Sequence, residues 1–339
     1  MAIGQVTKGR KATTLQAFSS FGDIQRAELK GSLPIRAILL DLSLTISNTG
    51  GTTNGTTPQD APHSYLGPVI VTEDGGRQLY ALSGAEGADV EQTLNGVRPS
   101  GSAFSGTGAA ITANAQLQIP FSLPRFTTGN PDDTVYMAAG KILTIEARLG
   151  GAKTSGAAGG GIFHSDNDRA VVFGSGSVAV EVDEVRGMNA GPVKGHLLPL
   201  FTYFRQAAIA TTTRLQQKLN TGTAYRMLWA KYVAEVVAAG GSFEGSNAIL
   251  NNLSVETGQD TLFLSTARQL ASRLKLRMQA ETQRAGLYGW DFAGLPQQNL
   301  ESFDTSGVGD FSTFADVSAV GGGKQTDQVI VTQELVALQ

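Results

Sequence analysis

The sequence predicts a mainly β protein made of two tandem β-sandwich halves, with one long helix in the second half. Three observations lead there. Apolar residues recur at every second position over long stretches, Gly and Pro cluster where that pattern breaks, and one later stretch switches to helical spacing. The 339 residues suffice for two domains of ordinary size.

The first alternating run is 38–46. Ile38, Leu40, Leu42, Leu44 and Ile46 occupy the even positions, with Asp41, Ser43 and Thr45 between them. The run 111–123 is cleaner. Ile111, Ala113, Ala115, Leu117, Ile119, Phe121 and Leu123 alternate with Thr112, Asn114, Gln116, Gln118, Pro120 and Ser122. A helix would scatter these apolar residues round its circumference, whereas a strand puts them on one face. Residues 142–149 and 177–185 read as further strands. The stretches 47–57, 84–108 and 150–161 are rich in Gly, Thr and Ser and are expected as surface loops.

Gly187, Gly191, Pro192, Gly195 and Pro199 break the pattern and mark a boundary. The expected organisation is an N-terminal arm at 1–28, a first sandwich at 29–186, a linker at 187–200 and a second sandwich at 201–339. The second half restarts with strands at 225–233 and 248–257. Phe263, Ala267, Leu270, Leu274 and Met278 then recur at helical spacing, with Arg268, Arg273, Lys275 and Arg277 on the other face. Gly286 is the expected C-cap. Strands return at 311–317 and 328–335, and no short-period repeat is visible.

Composition excludes several classes. Charged residues make up 16%, against a typical share of roughly 25%, which suits a surface packed against copies of itself. The formal net charge of −3 argues against a bulk electrostatic grip on nucleic acid. With 0 cysteines there is no disulfide framework, thiolate metal site or thiol nucleophile. No run approaches the ~18 apolar residues of a spanning helix. The basic N-terminus has no apolar segment behind it and does not read as a secretion signal.

Candidate chemistry is sparse. His63, His164 and His196 stand apart from one another, without ligand spacing. Asp132 and Asp133, and likewise Asp166 and Asp168, offer oxygen ligands that calcium could use. Asp-rich turns also cap their own backbone, and no complete ligand loop is present. No other cofactor is expected. Gly159–Gly161 and Gly174-Ser-Gly176 match no phosphate loop and are expected to be flexible. The basic helix face is expected to be solvated or paired with Asp291, Glu301, Asp304, Asp310 and Asp316 in preference to binding phosphate. Lys8, Arg10 and Lys11 lie in a segment without alternation, ahead of the first sandwich. They are the candidates for a membrane or assembly contact.

Several stretches, taken in order, resemble a known family. Leu33-Pro-Ile-Arg36-Ala-Ile38-Leu-Leu40 looks like its opening strand, and Asn130-Pro131-Asp132-Asp133 before 142–149 looks like a later one. In the second half the chain shows Gly286-Leu-Tyr288-Gly-Trp290-Asp291-Phe292, then Leu300-Glu-Ser-Phe303-Asp304-Thr305, then Val329-Ile-Val331-Thr-Gln-Glu334-Leu335. That order resembles the aromatic-Asp-Phe turn, the Leu-x-x-x-Asp-Thr segment and the acidic-Leu closing strand of the double jelly-roll major capsid proteins. The likeness is to the corticovirus-like coat proteins of tail-less bacteriophages with an internal membrane.

The resemblance implies two jelly-roll sandwiches per subunit and a pseudo-hexagonal homotrimer that tiles an icosahedral shell around a lipid vesicle. It implies a structural protein, not an enzyme, found in the virion and made in the host cytoplasm. Implied partners are other copies of the chain, penton or minor capsid proteins, and the internal membrane through the N-terminal arm. No specific nucleic-acid recognition is implied. The alternatives are a β-rich receptor-binding spike, which would carry a shaft or repeat, and a carbohydrate-binding jelly-roll protein. The second would need an aromatic platform, yet aromatics are 7% and Trp occurs only at Trp229 and Trp290.

Overall fold

A computed structural model describes residues 7–14, 17–30, 33–49, 57–121, 140–150, 162–163, 171–186, 197–236, 242–258, 260–278, 284–292 and 302–337. The chain divides into two compact units. The first is Met1–Ser155, Gly160–Leu200 and Val336–Gln339, and the second is Gly156–Gly159 and Phe201–Leu335.

The first unit contains β1 (Thr7–Thr14), β2 (Ile24–Lys30), β3 (Ile35–Asn48), β4 (Leu66–Glu73), β5 (Arg77–Ser83), α1 (Gly84–Asn95), β6 (Gly101–Ser102), β7 (Gly108–Pro120), β8 (Ile142–Leu149) and β9 (Val171–Arg186). One antiparallel sheet runs β1-β9-β3-β7-β6, and the other runs β2-β8-β4-β5. Leu40 is in register with Leu117 on one side and Val180 on the other. The alternating apolar residues of three strands therefore share one face. They are buried, as are Val69, Val71, Leu143 and Ile145 of the second sheet.

The second unit contains most of β10 (Leu197–Gln206), then β11 (Thr212–Lys218), β12 (Ala224–Glu235), β13 (Phe243–Gly245), β14 (Leu250–Thr257), β15 (Asp260–Thr266), α2 (Ala267–Met278), β16 (Leu287–Asp291), β17 (Phe303–Asp304), β18 (Phe311–Val317) and most of β19 (Thr326–Ala337). One sheet runs β10-β19-β12-β16, with β13 and β17 alongside β16 on the same edge of β12. The other runs β11-β18-β14-β15. Its core is aromatic: Tyr225 and Phe311 rings lie 4.8 Å apart, and Phe263 and Trp290 lie 5.0 Å apart.

The two units have the same topology. In chain order, the first, eighth, third and sixth principal strands form one sheet, and the second, seventh, fourth and fifth form the other. A helix sits between the fifth and sixth strands in both. This is the eight-stranded jelly roll, built twice.

Several sequence expectations change. Within the stretch expected to be an arm, residues 7–14 and 24–28 belong to β1 and β2, the first two strands of the first roll, and residues 1–6 lie outside the described residues. The expected linker ends inside β10, which begins at Leu197. The expected loop at 84–108 begins with α1, so the chain has a helix in each half. Ser83 Oγ accepts the N–H of Glu86 at the start, and Gly96 closes the end at φ +77°. Ala85, Ala88 and Leu94 are buried. At Gly87 a Cβ would lie 2.8 Å from Leu117 Cδ1, so the glycine is there for close packing.

Gly174 and Gly176 also lie in a strand, not a flexible loop. Phe18 N–H donates to the Gly176 carbonyl at 2.8 Å. Phe263 belongs to β15, and α2 starts only at Ala267. Residues 279–283, between Met278 of α2 and Gly286, lie outside the described residues, and Gly286 directly precedes β16. It has φ +71°, its N–H donates to Asn247 Oδ1 at 2.8 Å, and an added Cβ would lie 2.8 Å from Gly245 Cα.

Candidate assembly surfaces

Lys8, Arg10 and Lys11 sit on β1, the outermost strand of its sheet. Their register partners on β9 are Val185, Asp183 and Val182. A basic strand thus lies beside one that carries Glu181, Asp183 and Glu184. Asp132, Asp133, Asp166, Asp168, His164 and His196 lie outside the described residues. Among the described residues, no three His, Cys, Asp or Glu side chains gather as a metal would need.

The buried polar groups of the first roll gather beneath α1. Arg98 donates to Asp89 at 2.7 Å, and Asp60 lies 3.9 Å from the same guanidinium. Burial, with Arg98 nearby, holds the His63 imidazole down at about 4. Burial likewise pushes the Glu91 carboxyl up to about 7, although Glu91 Oε2 accepts the Gln118 N–H at 2.8 Å. Gln118 lies on β7 beyond the end of β6, so this carboxyl caps a backbone donor that no strand pairs. The cluster closes the helix onto the sheet. The sequence did carry a sign of it, since Ser83-x-x-Glu86 is a capping-box spacing.

In the second roll, Asp327 is fully buried on β19. It accepts from Arg205 Nε at 3.0 Å, the Ala208 N–H at 2.9 Å and Gln325 Nε2 at 2.8 Å. These bonds fix the turn after β10, where Ala208 takes φ +53°.

Of the two expected states of the α2 cations, solvated or paired with nearby acids, the described residues show the solvated one within the chain. Arg268, Arg273 and Lys275 form no ion pair there, and Arg273 stands over the Trp290 ring at 5.6 Å. Asp291 lies 3.5 Å from Arg226, Asp304 accepts from Ser306, Asp310 from Ser312, and Asp316 from Asn251. Glu301 and the Arg277 side chain lie outside the described residues. No helix among the described residues is long and apolar enough to cross a membrane.

The remaining surface features are sheet edges. On β2, Ile24, Arg26, Glu28 and Lys30 alternate outward, and Arg26 pairs with Glu146 of β8. On β15, Leu264 projects outward, and on α2 so does Leu276.

No protein-family model matches the chain, and no curated protein matches it in sequence. Solved structures do match. The major capsid protein of Sulfolobus turreted icosahedral virus aligns with a TM-score of 0.69 over 97% of both chains, at 13% identity. The PBCV-1 virus capsid gives 0.64, covering 99% of this chain and 95% of that one at 10% identity. The major capsid protein P2 of bacteriophage PM2 gives 0.58, covering 97% and 98% at 11% identity. Matched end to end as two rolls in tandem, this chain has the double jelly-roll fold that these viral major capsid proteins have.

Proposed function

We propose that this chain is the major capsid protein of an icosahedral virus, a structural subunit and not an enzyme. One observation carries the reading: the match runs through both rolls, covering 97% of this chain and 97% of the Sulfolobus turreted icosahedral virus capsid protein. A single-roll lectin or enzyme would match only half of it. The mechanism is geometric. Each roll is a stiff two-sheet wall, and two rolls in each of three copies give six near-equivalent sides, which suits hexagonal packing. Weak contacts suffice because the particle repeats them.

The finer reading follows the resemblance to corticovirus-like coats. It comprises a pseudo-hexagonal homotrimer, made in the host cytoplasm and located in the virion. It shares the shell with penton or minor proteins over an internal lipid vesicle. Lys8, Arg10 and Lys11 are its assembly contacts. Their place on an edge strand favours a neighbouring protein over lipid. Lys8→Ala, Arg10→Ala and Lys11→Ala together should leave binding to anionic vesicles unchanged while weakening assembly. Loss of vesicle binding alone would favour lipid.

The deciding experiment is light scattering of the purified protein with negative-stain imaging. A compact particle near three times 35.4 kDa with a hexagonal outline is expected. A stable monomer that binds glycans would overturn the reading.

A further inference from the structure

The helix α2 is two-faced. Leu270, Ala271 and Leu274 are buried on its own roll, whereas Arg268, Ser272, Arg273, Lys275 and Leu276 are exposed. Its sequence holds cations and no acid. We infer that this exposed face is a docking face for a membrane surface rich in anionic phospholipid. The inference adds a partner to the capsid reading and does not depend on it.

Residues four apart on a helix stand one above another, so Arg268, Ser272 and Leu276 form one row along the solvent side. Leu276 is 79% exposed and stands opposite the buried Leu270 and Leu274. Helical rotation sets Arg273 on one side of that row and Lys275 on the other. An apolar residue at the pole with cations on both flanks is the arrangement of a helix lying in a membrane interface. The leucine enters the acyl boundary while the long basic side chains reach the phosphates. The strand β15, which runs directly into α2, adds Leu264 at 68% exposure.

Charge points to the same partner. Arg268, Arg273 and Lys275 form no ion pair among the described residues, and Arg273 stands over the Trp290 ring at 5.6 Å. The acid of β16, Asp291, faces Arg226 at 3.5 Å, and the acid of β15, Asp260, opens that strand at the end away from α2. The face is therefore net basic and asks for an anionic partner. Each cation near an anionic leaflet adds to binding, and salt screens the gain.

Two other anionic partners fit less well. Nucleic acid offers phosphate but nothing for an outward leucine, and the net charge of −3 opposes its bulk attraction. An acidic peptide docks best in a groove, whereas a single exposed helix is convex. A lipid surface takes the charge and the leucine together. One helix binds weakly, so the contact gains strength when many copies share one surface.

The absence of cysteine lets a single dye report on the contact. Leu276→Cys in the full chain carries an environment-sensitive dye, and Val97→Cys, at a first-roll position 72% exposed, is the control. The probe is a vesicle of phosphatidylcholine and phosphatidylglycerol. The dye at Leu276→Cys should shift to the blue when vesicles are added, and the control should not. Arg268→Gln with Lys275→Gln should weaken co-sedimentation of the unlabelled chain about tenfold while its melting curve stays unchanged. Arg268→Lys with Lys275→Arg should restore it. An absence of vesicle binding, equal binding to pure phosphatidylcholine, or a shift at Val97→Cys alone would overturn the lipid face. An equal dye response to duplex DNA would assign the face to nucleic acid and overturn it too. Each of these outcomes leaves the capsid reading to light scattering. Vesicle binding by a chain that stays monomeric would support the lipid face and count against the capsid reading.

Discussion

Glu91→Gln isolates the electrostatics beneath α1. In the folded state the Glu91 carboxyl is half-buried, and its Oε2 takes the Gln118 N–H at 2.8 Å. Burial raises its pKa from 4.5 to about 7, overcoming the lowering by that N–H and by Arg98. The sign follows from the direction. The neutral carboxyl favours the fold, so its contribution is complete below about pH 4.5 and is lost as pH rises through 7. The difference between those two values corresponds to roughly 3 kcal/mol at most, and partial solvent access brings the expected effect to about 1–2 kcal/mol. Glutamine keeps an acceptor for the Gln118 N–H and cannot ionise. The variant should therefore match the wild type in mild acid and exceed it in mild alkali by that amount. Calorimetry is the assay, because Trp229 and Trp290 both lie in the second unit and tryptophan fluorescence would miss the first. A variant less stable than the wild type in alkali would refute the reasoning. It would mean that Arg98 holds the ionised carboxylate.

Three further outcomes are expected. Gly286→Ala should destabilise the second roll by roughly 2–3 kcal/mol, because the left-handed backbone and the contact with Gly245 Cα both oppose a Cβ; an unchanged melting curve would contradict this. Asp327→Ala leaves Arg205, the Ala208 N–H and Gln325 without their acceptor, and should cost roughly 2–3 kcal/mol, since half-exposed Arg205 can turn to water; urea titration reads it. If Asp132, Asp133, Asp166 and Asp168 hold calcium, saturating the ion should raise the melting temperature by mass action, reversibly with chelator. Identical melts with calcium and with chelator would remove that candidate.

The sequence made the first roll more legible than the second. β3 and β7 keep one buried face and one wet face, so their alternation is visible. The strand equivalent to β3 in the second roll is β12, and it is buried along almost its whole length on both faces, including Lys231 and Glu235. No alternation can appear there, and the correspondence between β3 and β12 disappears with it. β1 escaped notice for the opposite reason, since its Lys, Gly, Arg and Thr residues belong to a polar edge. The helix α1 was hidden by composition. Its Gly84 and Gly87 allow close packing on Leu66, Tyr80 and Leu117, but in sequence they read as loop. The α2 cations were legible as a basic face. That they find no acid within the described chain was not, because pairing depends on tertiary placement.

The duplicated topology explains why the two helices differ. Both bridge the fifth and sixth strands of a roll, and a helix placed there covers the gap between two sheet edges. α1 does so completely: eight of its 12 residues are buried, and a carboxyl seals the strand beside it. α2 buries Leu270 and Leu274 against its own roll but turns Leu276 outward, together with three cations that form no ion pair among the described residues. If both rolls needed only to be stable alone, the second helix would gain nothing from exposing a leucine, and selection for solubility would favour a polar residue there. An outward leucine beside an open strand edge makes sense when that end is covered in the working assembly.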